Sequence, residues 1–387
     1  MKKKYLIIVL VITIGLLNAC QQQNKKNTIS ECDIITIDVN KVDILNYDDH
    51  FCSTKMIPLE TTQESLIGEI GKLYITDEHI LIFDSKAMNL LLFNSDGLFI
   101  RKIGVKGAGP DEYQFFNDIQ FEKTESIIYA HERFQNCIYK YNLDGLLLEK
   151  TEAADIDFNS FFKTDKGYWV YSCFKNNNQD GYNLMLLDND LKSIKKTYFP
   201  QKAFVNSNFS STFMENEDGR VFFIYPSSNI VYELVNEDVV PFAEVDFGDK
   251  TMPYNIIVNM ENTEDYDKLI SDKKYIGDIS NFRINDKYFY FSFNETGFNV
   301  VVSKYNCFYN YLSKETFIYK NPFIESMKYP VSTNLLFASD SLLVYPLNLM
   351  VMTDDSFPLL SKELNADIQF DSNPILVMVS LKFKNNH

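Results

Sequence analysis

The sequence predicts an all-β fold: a six-bladed β-propeller of four-stranded antiparallel blades, with the last blade closed by an N-terminal strand. Three observations carry this expectation. Turn-like stretches of similar chemistry recur at near-constant spacing. NSDGLF at 94–99 returns as NLDGLL at 142–147, Asp96 to Asp144 is a step of 48, Asp190 follows 46 residues later, and Glu237 another 47 on. A fixed period of this size is the signature of a repeat architecture. Each step also divides into four short runs rich in β-branched and aromatic residues, joined by hairpin-type turns. Finally, runs such as Ile80-Leu81-Ile82-Phe83 do not alternate, so both faces of such a strand must be buried, as in stacked sheets.

Taken in order, the first unit comprises 72–76, 79–83, 90–93 and 98–103, and the second 118–122, 126–130, 137–141 and 146–150. The third comprises 160–164, 167–172, 182–187 and 193–199, and the fourth 211–215, 220–225, 230–235 and 239–245. The fifth reads as 279–284, 287–293, 299–304 and 307–312. The sixth shows only three runs, 335–338, 342–345 and 374–383. Its outer strand is expected from 55–60, KMIPLE, where Pro58 is tolerated because an outermost strand leaves one edge free. Units of this kind stacked about an axis make a propeller.

The N-terminus carries a separate signal. Lys2, Lys3 and Lys4 precede an apolar run at 6–17, broken only by Thr13 and Gly15. A run this short suits an export signal rather than a spanning helix, which needs about 20 apolar residues. Leu17-Asn18-Ala19-Cys20 closes it and resembles a bacterial lipobox, which implies cleavage before Cys20 and lipidation of its thiol. Gln21 follows where, in such lipoproteins, an aspartate would favour inner-membrane retention, so the resemblance implies an outer-membrane anchor, facing either the periplasm or the outside. Residues 21–27, QQQNKKN, read as a polar tether. The expected organisation is a signal peptide at 1–19, a lipidated tether and N-terminal segment at 20–53, and the propeller at 54–387.

Removing residues 1–19 takes three lysines from 37 basic residues and leaves all 53 acidic ones, so the mature net charge is −19. That field disfavours nucleic acid and anionic surfaces. Five cysteines follow Cys20: Cys32, Cys52, Cys137, Cys173 and Cys307. None forms a C-x-x-C pair, so zinc and thioredoxin-like readings fail. Export permits disulfides, Cys32–Cys52 is a candidate bridge, and Cys137 and Cys173 read as small core residues.

The chain resembles the six-bladed β-propeller lipoproteins of Gram-negative gut bacteria, loosely related to NHL and TolB-like propellers. The likeness covers about 55–383 and rests on Ile57-Pro58-Leu59-Glu60, Phe83-Asp84, Asn94-Ser95-Asp96-Gly97, Arg101-Lys102-Ile103-Gly104, the 107–113 run GAGPDEY and Asn373-Pro374-Ile375-Leu376. It implies fold and location but no chemistry.

Propeller geometry separates two faces. Links between first and second strands, and between third and fourth, share one face and are tight here. Links between second and third strands, and between blades, share the other and include every long segment: 104–117, 175–181, 247–278 and 346–373. Long loops on a rigid scaffold concentrate binding, so a ligand site is expected on that face, near the axis. Gly104, Gly107 and Gly109 lack the Lys-Ser/Thr and helix of a phosphate loop and read as a rim-to-axis link. Asp111, Glu112 and Tyr113 follow it as contact candidates. His131, Glu132 and Arg133 are expected in a second-to-third-strand loop, offering a base, a carboxylate and a guanidinium. Asp118, Asn281 and Arg283 are placed on inner strands facing the channel, and Asp84 is expected to cap its turn.

The four histidines have no metal-ligand spacing. No cofactor is expected, although calcium held by axial carboxylates stays open. Two functions follow: a lipid-anchored binding module for a protein, peptide or glycan partner, or a metal-assisted hydrolase or lyase using His131 and axial carboxylates.

Overall fold

The structure, a computed structural model, describes residues 32–41, 51–154, 156–172, 181–200, 212–225, 228–253, 264–265, 268–269, 275–276, 279–297, 300–319, 329–332, 334–339 and 341–381. Cys20, the 21–27 segment, Cys173 and most of 247–278 lie outside these residues.

Two N-terminal strands, β1 (Asp33–Thr36) and β2 (Phe51–Pro58), precede the first complete sheet. Blade 1 is β3 (Ile70–Ile75), β4 (His79–Asp84), β5 (Asn89–Asn94) and β6 (Phe99–Ile103). Blade 2 is β7 (Phe116–Glu122), β8 (Ile127–Glu132), β9 (Cys137–Asn142) and β10 (Leu147–Glu152). Blade 3 is β11 (Ser160–Thr164), β12 (Gly167–Tyr171), β13 (Tyr182–Leu187) and β14 (Ile194–Pro200). Blade 4 is β15 (Phe213–Glu215), β16 (Val221–Ile224), β17 (Ile230–Val235) and β18 (Asp238–Asp246). Blade 5 is β19 (Ile279–Ile284), β20 (Tyr288–Gly297), β21 (Val300–Asn310) and β22 (Thr316–Tyr319). Blade 6 comprises β23 (Phe337–Ala338), β24 (Leu342–Pro346) and, after helix α1 (Ser356–Leu364), β25 (Ile375–Leu381). Its sheet order is β2-β25-β24-β23, so β2 is the outermost strand of the last blade, as the sequence leads one to expect.

The non-alternating strands are buried on both faces. Ile80, Ile82, Leu91 and Phe93 pack with Ile57, Val344 and Leu376 of blade 6. Their neighbours Leu81, Phe83, Leu90 and Leu92 pack with Ile119, Phe121 and Tyr139 of blade 2. Successive side chains of one strand thus serve two different interfaces, and each buried aliphatic or aromatic group contributes about 1.5–3 kcal/mol.

The closure seam is polar at its ends. Asn373 is buried; its Oδ1 accepts from Ile67 N–H at 2.8 Å, and its Nδ2 donates to the Glu60 and Ser65 carbonyls at 2.8 and 2.9 Å. The Glu60 N–H donates to the Gly97 carbonyl at 2.8 Å, and the Glu60 carboxylate accepts from Phe99 N–H at 2.8 Å. Elsewhere on the rim, charged side chains join the outer strands of blades 1, 2 and 3 to the next blade's third turn: Arg101 to the Asp144 carbonyl, Lys192 to the Glu152 carbonyl, and Lys196 to the Asp238 carboxylate.

Four features differ from the sequence reading. Residues 300–310 form one long strand, β21, and the fourth strand of blade 5 is β22 at 316–319. Asn306, which invited a turn there, is instead a buried acceptor for Tyr290 Oη at 2.6 Å and Ser292 Oγ at 3.0 Å. The true turn begins at Asn310, whose Oδ1 caps the Leu312 and Ser313 N–H groups. β1 is a strand ahead of 55: it adds to blade 4 parallel to β18, burying Ile35 and Ile37 against Phe222, Val245 and Phe291. That places Cys32 beside blade 4 while Cys52 belongs to β2 on blade 6, and the Cys32 thiol is free, so the Cys32–Cys52 bridge does not form. Within 346–373, α1 covers blade 6 with Phe357 and Leu360, which the sequence reading treated as loop.

Candidate functional site

The inner strands all begin on the face that carries the blade-to-blade links, and there they surround a funnel of about 650 Å³. Its wall is built from short amide and hydroxyl side chains: Asn117 from blade 2, Asn159 and Ser160 from blade 3, Thr212 from blade 4, Asn281 from blade 5 and Asn334 from blade 6. Several of these tie neighbouring blades together. Ser160 Oγ and Thr212 Oγ1 are 2.6 Å apart, Asn281 Nδ2 donates to Asn334 Oδ1 at 3.0 Å, and Asn117 Nδ2 donates to the Asn159 carbonyl.

At the floor, Lys72 Nζ pairs with Asp118 Oδ1 at 2.5 Å and donates to the Ile119 carbonyl at 2.8 Å. Asp118 also accepts from the Ile119 N–H at 2.9 Å and the Phe161 N–H at 3.1 Å. This one carboxylate therefore joins the inner strands of blades 1, 2 and 3.

Three funnel groups keep unused capacity. The side-chain oxygens of Asn159 and Asn294 are shielded from solvent and meet no donor among the described residues. Lys304 stands opposite Asn294 across the β20–β21 pair, lines the funnel and has no carboxylate within ion-pair reach among the described residues; burial pulls its ammonium pKa down. Buried polar atoms without partners are uncommon in native proteins, and here two of them and a cation share one cavity.

The residues singled out from the sequence distribute differently. His131 and Glu132 are the buried end of β8 rather than part of a loop. The His131 ring stacks on Phe158 with centroids 4.1 Å apart. Glu132 Oε1 accepts from the Gln114 and Phe115 N–H groups and Oε2 from Gln135 N–H, so it fastens the incoming blade link to its own turn. Arg133 is exposed, and its N–H donates to the Phe115 carbonyl.

Asp84 occupies the matching end of β4 and accepts from Gly68, Glu69, Lys86 and Ala87 N–H groups, which includes the capping role expected of it. Asp111 is exposed. Glu112 closes back on the glycine run by accepting from Gly109 N–H at 2.8 Å, and Tyr113 is stacked on Phe116 at 3.7 Å, its hydroxyl pKa pushed up to about 12 by burial. The run is thus a folded link. Arg283 lies below the floor, toward the tight-turn face.

Sequence reasoning missed Asn159, Ser160, Thr212, Asn294, Lys304 and Asn334. A signal did exist: three of the six inner strands are entered through Asn, Ser or Thr just before an apolar pair, as in NSFF at 159–162, TFM at 212–214 and NLLF at 334–337. Among the described residues, no three His, Cys, Asp or Glu side chains gather to hold a metal.

Ring, funnel and seam together define a six-bladed β-propeller with an axial pocket. The chain belongs to the family described as a domain of unknown function, DUF4934, whose model matches residues 32–380. It is similar to the crystal structure of a candidate exported protein of Bacteroides fragilis, with a TM-score of 0.71, 20% identity, and coverage of 90% of this chain and 100% of that one. A member of the DUF4221 family from Bacteroides vulgatus aligns with a TM-score of 0.53 and 9% identity over 87% of this chain and 98% of that one. At these identities the likeness shows the fold alone. No curated protein matches the sequence.

Proposed function

We propose that the protein is an exported, lipid-anchored binding module that takes its ligand into the axial funnel. The observation that carries this reading is the pair of shielded, donorless amide oxygens of Asn159 and Asn294 beside the unneutralised Lys304. A ligand offering hydrogen-bond donors would complete the first two once their amides turn into the funnel, and an acceptor or acid would complete the third. Binding is favoured over catalysis because most wall groups are neutral amides and hydroxyls, with Glu69 and Lys304 the charged ones, while Asp118, the carboxylate at the floor, is consumed by Lys72 and two N–H groups. A protein, peptide or glycan presented at this face fits the arrangement, and the 346–373 segment with α1 extends the surface available to it.

Native mass spectrometry of the mature protein, after incubation with an envelope extract of the producing bacterium, tests the funnel. The wild type should carry an added mass that Asn159→Leu combined with Lys304→Met removes and Arg101→Gln, on the outer rim, retains. An adduct indifferent to the funnel substitutions refutes this reading.

The leader and the Leu17-Asn18-Ala19-Cys20 stretch support an anchor at Cys20, in the outer membrane given Gln21. The description of the Bacteroides fragilis relative supports export. Metabolic labelling with a palmitate analogue should mark the wild type and leave Cys20→Ser unmarked; equal labelling of both removes the anchor.

A further inference from the structure

Below the Lys72–Asp118 pair the axial channel widens again into a chamber of about 280 Å³ that opens between the first turns of the blades, on the face opposite the funnel. Arg283 of β19 lies at its inner end with Tyr74, Gln120 and Tyr290. The guanidinium donates from Nη1 to the Phe282 carbonyl at 2.7 Å and from Nη2 to the Leu336 carbonyl at 3.2 Å. These acceptors are neutral, and among the described residues no carboxylate pairs with the guanidinium. Burial lowers its pKa, and the groups that act the other way are the Tyr290 and Tyr74 hydroxyls rather than any carboxylate.

Lys72 is close enough for its charge to be opposed by that of Arg283. Among the described residues, the enclosed set around the waist is therefore two cations and the one carboxylate of Asp118. An unneutralised charge held away from bulk water is costly, and a counter-ion relieves that cost. The backbone is bent to produce this arrangement. The β19–β20 register slips between Ser280 and Arg283, and Asn281 takes the left-handed conformation with φ 48°. Such bulges re-aim side chains.

Carboxylates occupy the outer part of the chamber, where Glu122 caps the Thr124 and Glu125 N–H groups and Lys123 acts on Glu215. The chamber is thus basic at depth and mixed at its mouth.

We propose that the inner end of this chamber is a binding site for a compact oxyanion, with Arg283 as its principal ligand. The oxyanion is a phosphate or sulfate, either free or as the end group of a larger molecule that enters between the turns. Arg283 offers a planar fork of donors matched to such a group. This site does not depend on the funnel reading.

Isothermal titration of the full mature protein at constant ionic strength, set with chloride, tests it with inorganic phosphate, sulfate and glycerol 2-phosphate. Saturable 1:1 binding of at least one probe is expected. Affinity should fall at least tenfold in Arg283→Met and be kept in Arg101→Gln. Tighter binding of the phosphate ester than of inorganic phosphate assigns the site to an end group, and the reverse order assigns it to the free ion. Should Arg283→Met not fold, Arg283→Lys keeps the charge without the fork and should still weaken binding. Absence of saturable binding by all three probes to the wild type, or unchanged affinity in the Arg283 variant that folds, overturns the proposal.

Discussion

Gly97→Ala is expected to destabilise the protein by about 3 kcal/mol or more, whereas Gly145→Ala at the equivalent turn of the next blade should cost about 1 kcal/mol. Both glycines adopt left-handed backbone, with φ 88° and 82°, so the conformational penalty is common to the two. The surroundings differ. A Cβ on Gly97 would sit 2.3 Å from the Pro58 carbonyl oxygen and 2.9 Å from Ile57 Cγ2, both on β2. A Cβ on Gly145 would meet nothing closer than the Lys102 carbonyl oxygen at 3.5 Å.

Lys102 belongs to the outer strand of blade 1, and Pro58 to the strand that completes blade 6. Each glycine therefore abuts the outer strand of the preceding blade, and Gly97 does so across the seam where the ring closes. A backbone carbonyl cannot swing aside as a side chain can, so the seam must part. Denaturant melts of the two variants give the comparison; equal losses would mean that 51–58 does not lie against blade 1.

Asp84→Ala is the second large effect, with an expected loss of about 3 kcal/mol. The Asp84 carboxylate is fully buried and serves four N–H groups. Two belong to the link entering blade 1 and two to the turn after β4. A charge-assisted bond contributes about 1.5–3 kcal/mol, and donors left without an acceptor add a desolvation cost. Water reaching the turn recovers part, which keeps the expected loss below a simple sum. Asp84→Asn should lose less: one oxygen can keep the Glu69, Lys86 and Ala87 donors, and the new amide opposes only Gly68 N–H. Equilibrium denaturation of the pair checks both magnitude and order. A change under about 0.5 kcal/mol in Asp84→Ala would show that the carboxylate does not hold link and turn together.

The blade count was legible because each third turn needs particular chemistry. Asn94 Oδ1 accepts from the Asp96 and Leu98 N–H groups, Asn142 from Leu146, and Asp188 from Lys192 and Ser193. A side chain that folds back on its own turn leaves a local mark in the sequence. Burial on both faces was legible for a similar reason, since alternate residues of β4 feed two interfaces and all must be apolar.

The long β21 was not legible. Asn306 has turn chemistry by type, and only its tertiary partners Tyr290 and Ser292 make it a strand residue. Nor was β1: four residues, DIIT, gain their place from the free edge of β18 rather than from any pattern of their own. His131 and Glu132 show the limit for sites. Base, carboxylate and guanidinium in succession suggest a ligand trio, yet whether such residues face a cavity or a neighbouring blade is decided by where β8 stops. The funnel groups are not legible because a lone Asn, Ser or Thr at the start of a strand is ordinary; its meaning comes from such positions in five blades converging about one axis.

The most direct test of the central claim, that the axial funnel is where this propeller takes its ligand, is a crystal structure of the protein loaded from envelope extract. The account predicts difference density in contact with Asn159, Asn294 and Lys304, inside a ring whose sixth sheet is completed by 51–58 of the same chain. Ligand density on the outer faces of the blades, with water alone in the funnel, would contradict it.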